Sequence, residues 1–160
     1  MFVVALAVLG CRNDSPDIST EHPIQDEYIH CHVDGGWGID ADIWIYRDDS
    51  FRVEYSGKST ETWDGRNQGL YQSLINTFDH ERYWEVTTDT LDAEVKASAK
   101  YSRNMMVIDA SHDYLKVVSP SKTLNVDFYA ARTLADYYGD TPKLKIFGEV
   151  IWAIHEGTKK

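Results

Sequence analysis

Residues 28–57 read YIHCHVDGGWGIDADIWIYRDDSFRVEYSG, and this stretch decides the fold. Its apolar residues recur at every second position, which is the side-chain period of a β-strand. Clusters of glycine and aspartate at 34–38 and of aspartate and serine at 48–50 interrupt the alternation where the chain would turn. The stretch therefore predicts three antiparallel strands with one shared apolar face, formed by Ile29, Cys31, Val33, Ile43, Ile45, Phe51, Val53 and Tyr55.

The opposite side of the second predicted strand also carries large rings, those of Trp44 and Tyr46. A sheet that is apolar on both sides either buries both of them or uses one for binding. The sequence therefore predicts either helices on both faces or one face that binds something.

The rest of the chain mixes helical and strand patterns. Leu70, Leu74 and Phe78 recur at helical spacing, whereas residues 87–102 fit either a short helix capped by Thr90 or a strand. This order predicts an α+β fold, with an antiparallel sheet of about five strands and two to four helices in one globular domain over 27–158. The other predicted elements are a loop over 59–69, a helix over 67–79, two strands around a turn at 112–113 within 104–119, and helices over 125–139 and 142–157.

The chain has 160 residues and a formal net charge of -10. That length is enough for one domain with a sizeable core. A strongly acidic surface repels the phosphate backbone of nucleic acids, so no nucleic-acid partner is expected.

The first eleven residues, MFVVALAVLGC, differ in composition from all that follows. Ten uncharged and mostly apolar residues have the length of the hydrophobic region of a signal peptide and are too few to cross a membrane. The tetrapeptide VLGC at 8–11 resembles the lipobox of bacterial lipoprotein precursors. This resemblance implies a signal peptide over 1–10, complete or truncated, and a lipid attached to Cys11. The alternative is a buried N-terminal strand with an ordinary cysteine at this position.

Residues 11–26 are rich in aspartate, serine and proline, which is typical of a flexible tether. The lipoprotein resemblance then implies a domain held at a membrane of the bacterial cell envelope. Arg12 does not fit the acidic inner-membrane retention signal, so the expected location is the outer membrane, facing the periplasm, in a host with two membranes.

The string HCHVD at 30–34 is the strongest candidate for metal chemistry. His30, His32 and Asp34 would project from one face of a strand, and two imidazoles with a carboxylate can bind zinc. The string resembles the HxHxD motifs of metallo-β-lactamases and amidohydrolases, which implies a small metal-dependent hydrolase. The β-lactamase pattern continues with a histidine where this chain has Gly35.

Three aspartates around the glycine-rich turn, Asp34, Asp40 and Asp42, could together bind calcium through their oxygens. Their spacing does not match an EF-hand, and short acids are also ordinary turn residues. Zinc and calcium are therefore the two metal hypotheses.

Two tryptophans, Trp37 and Trp63, fall in predicted glycine-containing loops outside the apolar stripes. Rings in such loops can stack on sugars or peptides, or they can close the ends of a sheet. They are the candidate ligand-binding residues of a carbohydrate- or peptide-binding module. Cys31, by contrast, shares the apolar face of its strand, which indicates an inert thiol.

No motif of a nucleophilic or nucleotide-dependent enzyme occurs in the sequence. The favoured function is a non-catalytic envelope lipoprotein with a binding or structural role, a lipid anchor and an envelope protein or glycan as partner. The alternatives are the metal-dependent hydrolase and the carbohydrate- or peptide-binding module.

Overall fold

The structure is a computed structural model that describes residues 26–35, 39–56, 60–101 and 110–160. The predictions for the signal peptide 1–10, for Cys11, for the tether up to residue 25 and for Trp37 lie outside these residues. Residues 102–109, which include most of the first strand predicted within 104–119, lie outside them too.

The described strands form one six-stranded antiparallel sheet. They are β1 (Tyr28–Gly35), β2 (Ile39–Tyr46), β3 (Ser50–Ser56), β4 (Thr60–Arg66), β5 (His112–Val118) and β6 (Thr123–Tyr129). Their order across the sheet is β4-β3-β2-β1-β5-β6. The predicted α+β class is confirmed, with one strand more than the five expected.

The helices are α1 (Leu70–His80), α2 (Thr88–Ala97), α3 (Ala131–Tyr138) and α4 (Pro142–Gly157), with a short 3-10 turn over Tyr83–Glu85. The ambiguous segment after residue 87 is helical, and its cap is Thr87, whose hydroxyl accepts the backbone N–H of Thr90 at 3.2 Å. The free N–H groups at the start of α4 donate to Glu94 of α2, so one helix caps the next.

The loop predicted over 59–69 is wrong, because its first part is strand β4. This strand carries little apolar pattern, and it forms by pairing with β3 along its whole length. Gly65 faces Phe51 in that pairing, and the missing side chain leaves room for the phenylalanine ring.

The helix predicted over 125–139 is wrong in its first part, which is strand β6. Leu124, Val126 and Phe128 alternate between exposed neighbours and are buried, so a period of two prevails over the helical pattern. The helix begins only after Ala130, whose φ of 58° breaks the strand. The predicted turn at 112–113 is also wrong, because both residues belong to β5.

The apolar sides of all four helices pack on one face of the sheet. Ile29 and Ile45 of the strands are fully buried there together with Phe78 of α1 and Phe147 of α4. No helix among the described residues covers the opposite face. The first of the two predicted arrangements, helices on both faces, is therefore not found in the described part of the chain. No described helix is long and apolar enough to span a membrane.

One charged residue, Asp113 of β5, points into the core and is only 3 % exposed. Its Oδ2 accepts a hydrogen bond from the Ser111 hydroxyl at 3.1 Å, whereas its Oδ1 is buried with no partner among the described residues. Burial raises the pKa of Asp113 above its ordinary value, and the hydrogen bond from Ser111 offsets this only in part.

We expect Asp113→Asn to raise the free energy of unfolding by about 1–2 kcal/mol at pH 7, because it removes a buried charge. With a raised pKa, the folded wild type binds more protons than the unfolded chain, so its stability increases as the pH falls through that pKa. The advantage of the variant should therefore shrink toward the ordinary pKa of aspartate and vanish below it. Urea unfolding at several pH values measures this, with the exposed Asp136→Asn as control. A constant difference between the two curves would contradict the assignment.

Candidate functional site

The uncovered side of the sheet, called the open face below, is rich in rings and charges. Antiparallel register places the side chains of four strands in rows across it. One row contains Arg52, Trp44, His30 and Lys116, and the next contains Glu54, Asp42, His32 and Tyr114. On the four central strands, the open face consists of Tyr28, His30, His32 and Asp34 of β1, Asp40, Asp42, Trp44 and Tyr46 of β2, Arg52 and Glu54 of β3, and His112, Tyr114 and Lys116 of β5.

The centre of the open face is a cluster of polar and aromatic side chains around Asp42, which is hydrogen-bonded to His30. His30 Nε2 lies 2.7 Å from Asp42 Oδ1, and His32 Nδ1 lies 3.2 Å from the same oxygen. The ring of His30 stacks on Trp44 with centroids 4.8 Å apart and meets the edge of Tyr114 at 5.6 Å. These contacts fix the orientations of three rings and one carboxylate, so the centre is ordered before any partner arrives.

The predicted metal ligands are only partly brought together. His30 and His32 converge, but the carboxylate between them is Asp42, whereas Asp34 lies farther along β1, opposite Asp40. Within the described residues no group of three or more His, Cys, Asp or Glu side chains could hold a metal ion. Both histidines therefore lie on the Asp42 carboxylate, and Asp34, the predicted third ligand, is not part of this cluster.

The charges on the open face are unevenly distributed. Arg52 Nε lies 3.0 Å from Glu54 Oε1. Asp34 and Asp40 face each other directly across β1 and β2, and neither forms an ion pair within the described residues. Like charges directly opposite each other weaken a strand pair. A partner that brings positive charge to this end of the face would relieve that repulsion.

Cys31 and the consecutive residues Ser111, His112 and Asp113 are of the types that nucleophilic enzymes use, but they are not arranged for such a reaction. Cys31 is fully buried, and burial, reinforced by the charges of Asp113 and Asp42, raises the pKa of its thiol far above the ordinary value. Ser111 contacts Asp113 on the core side, whereas His112 lies on the open face and contacts Asp127 at 2.7 Å. These residues therefore cannot act as a nucleophile-base relay.

Trp63, the second predicted ligand-binding residue, lies in strand β4 and not in a loop. It is half-buried on the helix side of the sheet and lines a cavity of about 370 Å³. Its indole N–H donates to the backbone carbonyl of Thr158, just after α4, at 3.0 Å. The cavity, called the Trp63 cavity below, is lined by Ala41, Ile43, Val53, Tyr55, Glu61, Trp63, His155, Thr158, Lys159 and Lys160.

The rim of the Trp63 cavity carries an ion pair above an aromatic ring. Lys160 Nζ lies 3.2 Å from Glu61 Oε2 and 4.9 Å from the centroid of the Trp63 ring. Burial, together with the nearby Lys159 ammonium, lowers the pKa of His155, so this ring is neutral at pH 7. The apolar interior and charged rim have the general form of a small-molecule site.

Sequence reasoning missed Asp42 as the partner of both histidines, Tyr114 as part of the ring cluster, and the C-terminal residues that close the Trp63 cavity. The first two could have been found from the β1–β2 register, since this hairpin pairs residues whose numbers add up to 74. The third depends on a contact between Trp63 and Thr158, which are 95 positions apart.

No known protein-family model matches this chain, and no curated protein matches it either.

Proposed function

We propose that this chain is a non-catalytic binding module of a bacterial cell envelope, held at the membrane by a lipid on Cys11. The lipobox-like VLGC at 8–11, the apolar residues before it and the polar tether after it support the anchor. In a host with two membranes the domain would be held at the outer membrane and face the periplasm.

The anchor is tested by feeding cells with labelled palmitate. The wild-type chain should incorporate label and Cys11→Ser should not. Cys31→Ser serves as the matched control, because Cys31 is buried in the core and its replacement should leave labelling intact. Label retained by Cys11→Ser would rule the anchor out.

The binding role is carried by one observation, which is the uncovered sheet face. Rings of tyrosine, tryptophan and histidine stand there among charged groups, while every described helix packs on the other side. Interfaces are enriched in large aromatic residues and in arginine, and rigid aromatic rings give much contact area at small entropic cost. The composition of the open face therefore favours recognition of a partner over simple exposure to water.

A protein segment fits the open face better than a glycan does. Sugars stack on uncovered ring faces, but one face of Trp44 is already occupied by His30. What the open face offers instead is ring edges, carboxylates and the cations of Arg52 and Lys116. Such groups suit a partner that supplies backbone and side-chain hydrogen bonds at fixed spacing.

A photo-reactive amino acid placed at Tyr114 on the open face tests the proposal in the host cell. We expect a discrete protease-sensitive adduct from this position. Tyr137, which is 48 % exposed on α3, is the matched control and should give none. Equal adducts from both positions would contradict the proposal, and an adduct removed by enzymes that digest envelope glycans would replace the protein partner by a glycan.

The metal-dependent hydrolase is the second candidate, because His30 and His32 do lie on one carboxylate. Metal analysis of purified protein separates it from the binding module. About one equivalent of zinc that is lost in His32→Ala would favour the hydrolase. A protein purified without zinc, which takes up none on addition, would leave only the binding module.

A further inference from the structure

We propose that the Trp63 cavity binds a small amine, with the protonated amino group at the rim and an apolar body inside. This inference is independent of the open face, which lies on the other side of the sheet. Three observations support it: the groups at the rim of the cavity, the apolar interior, and the fixed orientation of the tryptophan ring.

The rim already holds an ammonium group. Lys160 of the chain itself places its Nζ over the Trp63 ring and beside the Glu61 carboxylate. An aromatic face next to a carboxylate is the chemistry that recognises ammonium ions, by cation–π attraction and by a charge-assisted hydrogen bond. Lys160 thus acts as an internal stand-in for the ligand. Its side chain is 62 % exposed, so a ligand can displace it.

The interior accepts an apolar group of modest size. Ala41, Ile43 and Val53 form its floor, and none of the three bears a polar side-chain atom. The volume of about 370 Å³ is at the lower end of the range of known small-molecule pockets. A ligand with a short alkyl or aryl body therefore fits better than a bare ammonium ion, which would leave the interior unused.

The recognition groups are held in place before binding. Trp63 is fixed by its hydrogen bond to the carbonyl of Thr158, and the hydroxyl of Thr158 donates to the carbonyl of Ile154 in α4 at 2.9 Å. The ring is therefore tied to the end of a helix, and binding does not have to pay for ordering it.

The charged groups at the rim of the Trp63 cavity favour a cationic ligand over an anionic one. Lys160 is paired with Glu61, and Lys159 is paired with Glu156, so an anion would have to compete with two carboxylates. His155 is neutral at pH 7 and adds no positive charge. A cation has to displace only Lys160, after which Glu61 and Trp63 both become available to it.

The test uses hexylamine as the probe and hexanoate as the anion of equal chain length. The indole N–H signal of Trp63, assigned by its loss in Trp63→Phe, reports binding in NMR titrations. The signal of Trp84, whose indole N–H donates to Asp79 away from the cavity, is the internal reference. We expect hexylamine to shift the Trp63 signal in a saturable way. Hexanoate should not.

Two exposed substitutions then change the affinity in opposite directions. Lys160→Ala removes the internal competitor and should tighten hexylamine binding roughly threefold. Glu61→Gln removes the carboxylate and should weaken binding about tenfold. Lys145→Ala and Glu149→Gln on the outer side of α4 repeat these charge changes away from the cavity and should alter neither value.

Each contrary result is informative. Saturable binding of hexanoate that is strengthened by Glu61→Gln would assign the cavity to anions and overturn the proposal. A Trp63 signal that hexylamine leaves unmoved in the wild type and in Lys160→Ala would overturn it as well. If the cavity variants and their outer controls changed the affinity equally, binding would depend only on the net charge of the protein, which would contradict a specific site.

Discussion

Replacing Phe78 by alanine is expected to lower the free energy of unfolding by about 3–5 kcal/mol. The ring is fully buried, meets the edge of Trp84 at 5.6 Å and lies 6.2 Å from Tyr83. The ring packs α1 against the 3-10 turn that follows it, so its removal leaves a cavity between these two elements. Urea unfolding followed by circular dichroism measures the change.

The matched control for this substitution is Ser73→Ala, an exposed position on the same helix. It should change the free energy of unfolding by less than about 0.5 kcal/mol. A loss below about 1 kcal/mol for Phe78→Ala would mean that α1 is not packed into the common core through this ring.

Gly65→Ala should lower the free energy of unfolding by about 1–3 kcal/mol, although it adds only one methyl group. A Cβ atom at Gly65 would lie 2.2 Å from Cζ of Phe51, far inside contact distance. The phenylalanine ring covers the glycine from the paired strand, which is a known way to stabilise a glycine within a sheet. Either the ring or the edge strand β4 has to move, and β4 also carries Trp63.

A double-mutant cycle isolates this effect. In a Phe51→Ala background the methyl group has space, so the additional cost of Gly65→Ala should fall close to zero. Thr62→Ala, at an exposed position of the same strand, is the control for a general weakening of β4. An undiminished cost in the Phe51→Ala background would show that the ring does not cause the strain.

The first three strands could be predicted from the sequence because their alternation is uninterrupted. Strand β4 could not be predicted in this way, because Trp63 is its only large apolar residue. It is its backbone pairing with β3 that makes this segment a strand. In β6 two signals compete, a period of two over 124–128 and a possible cap at Asn125. The segment is a strand because its alternate residues are buried under α2 and the 3-10 turn. A helix over the same residues would have exposed Val126 or Phe128.

The candidate sites, too, could be predicted only as far as local sequence patterns determine them. Alternation alone placed His30 and His32 on one face, but the identity of their partner depended on strand register, and a shift of one residue would have replaced Asp42. The sequence predicts Trp63 as a ligand-binding residue because it places the ring in a loop, whereas the residue lies in strand β4. Its cavity depends on the end of α4, a contact that no local pattern encodes.

The most direct test of the central claim, that the open face receives a partner in the envelope, is oxidative footprinting of Trp44 and Tyr114. Hydroxyl-radical labelling of these rings is compared between the purified domain and the protein in its own membranes, with Trp152 and Tyr137 on the helix side as references. We predict strong labelling of the open face in the purified domain and protection in the membranes, with the references unchanged. Equal labelling of Trp44 and Tyr114 in both preparations would contradict the account.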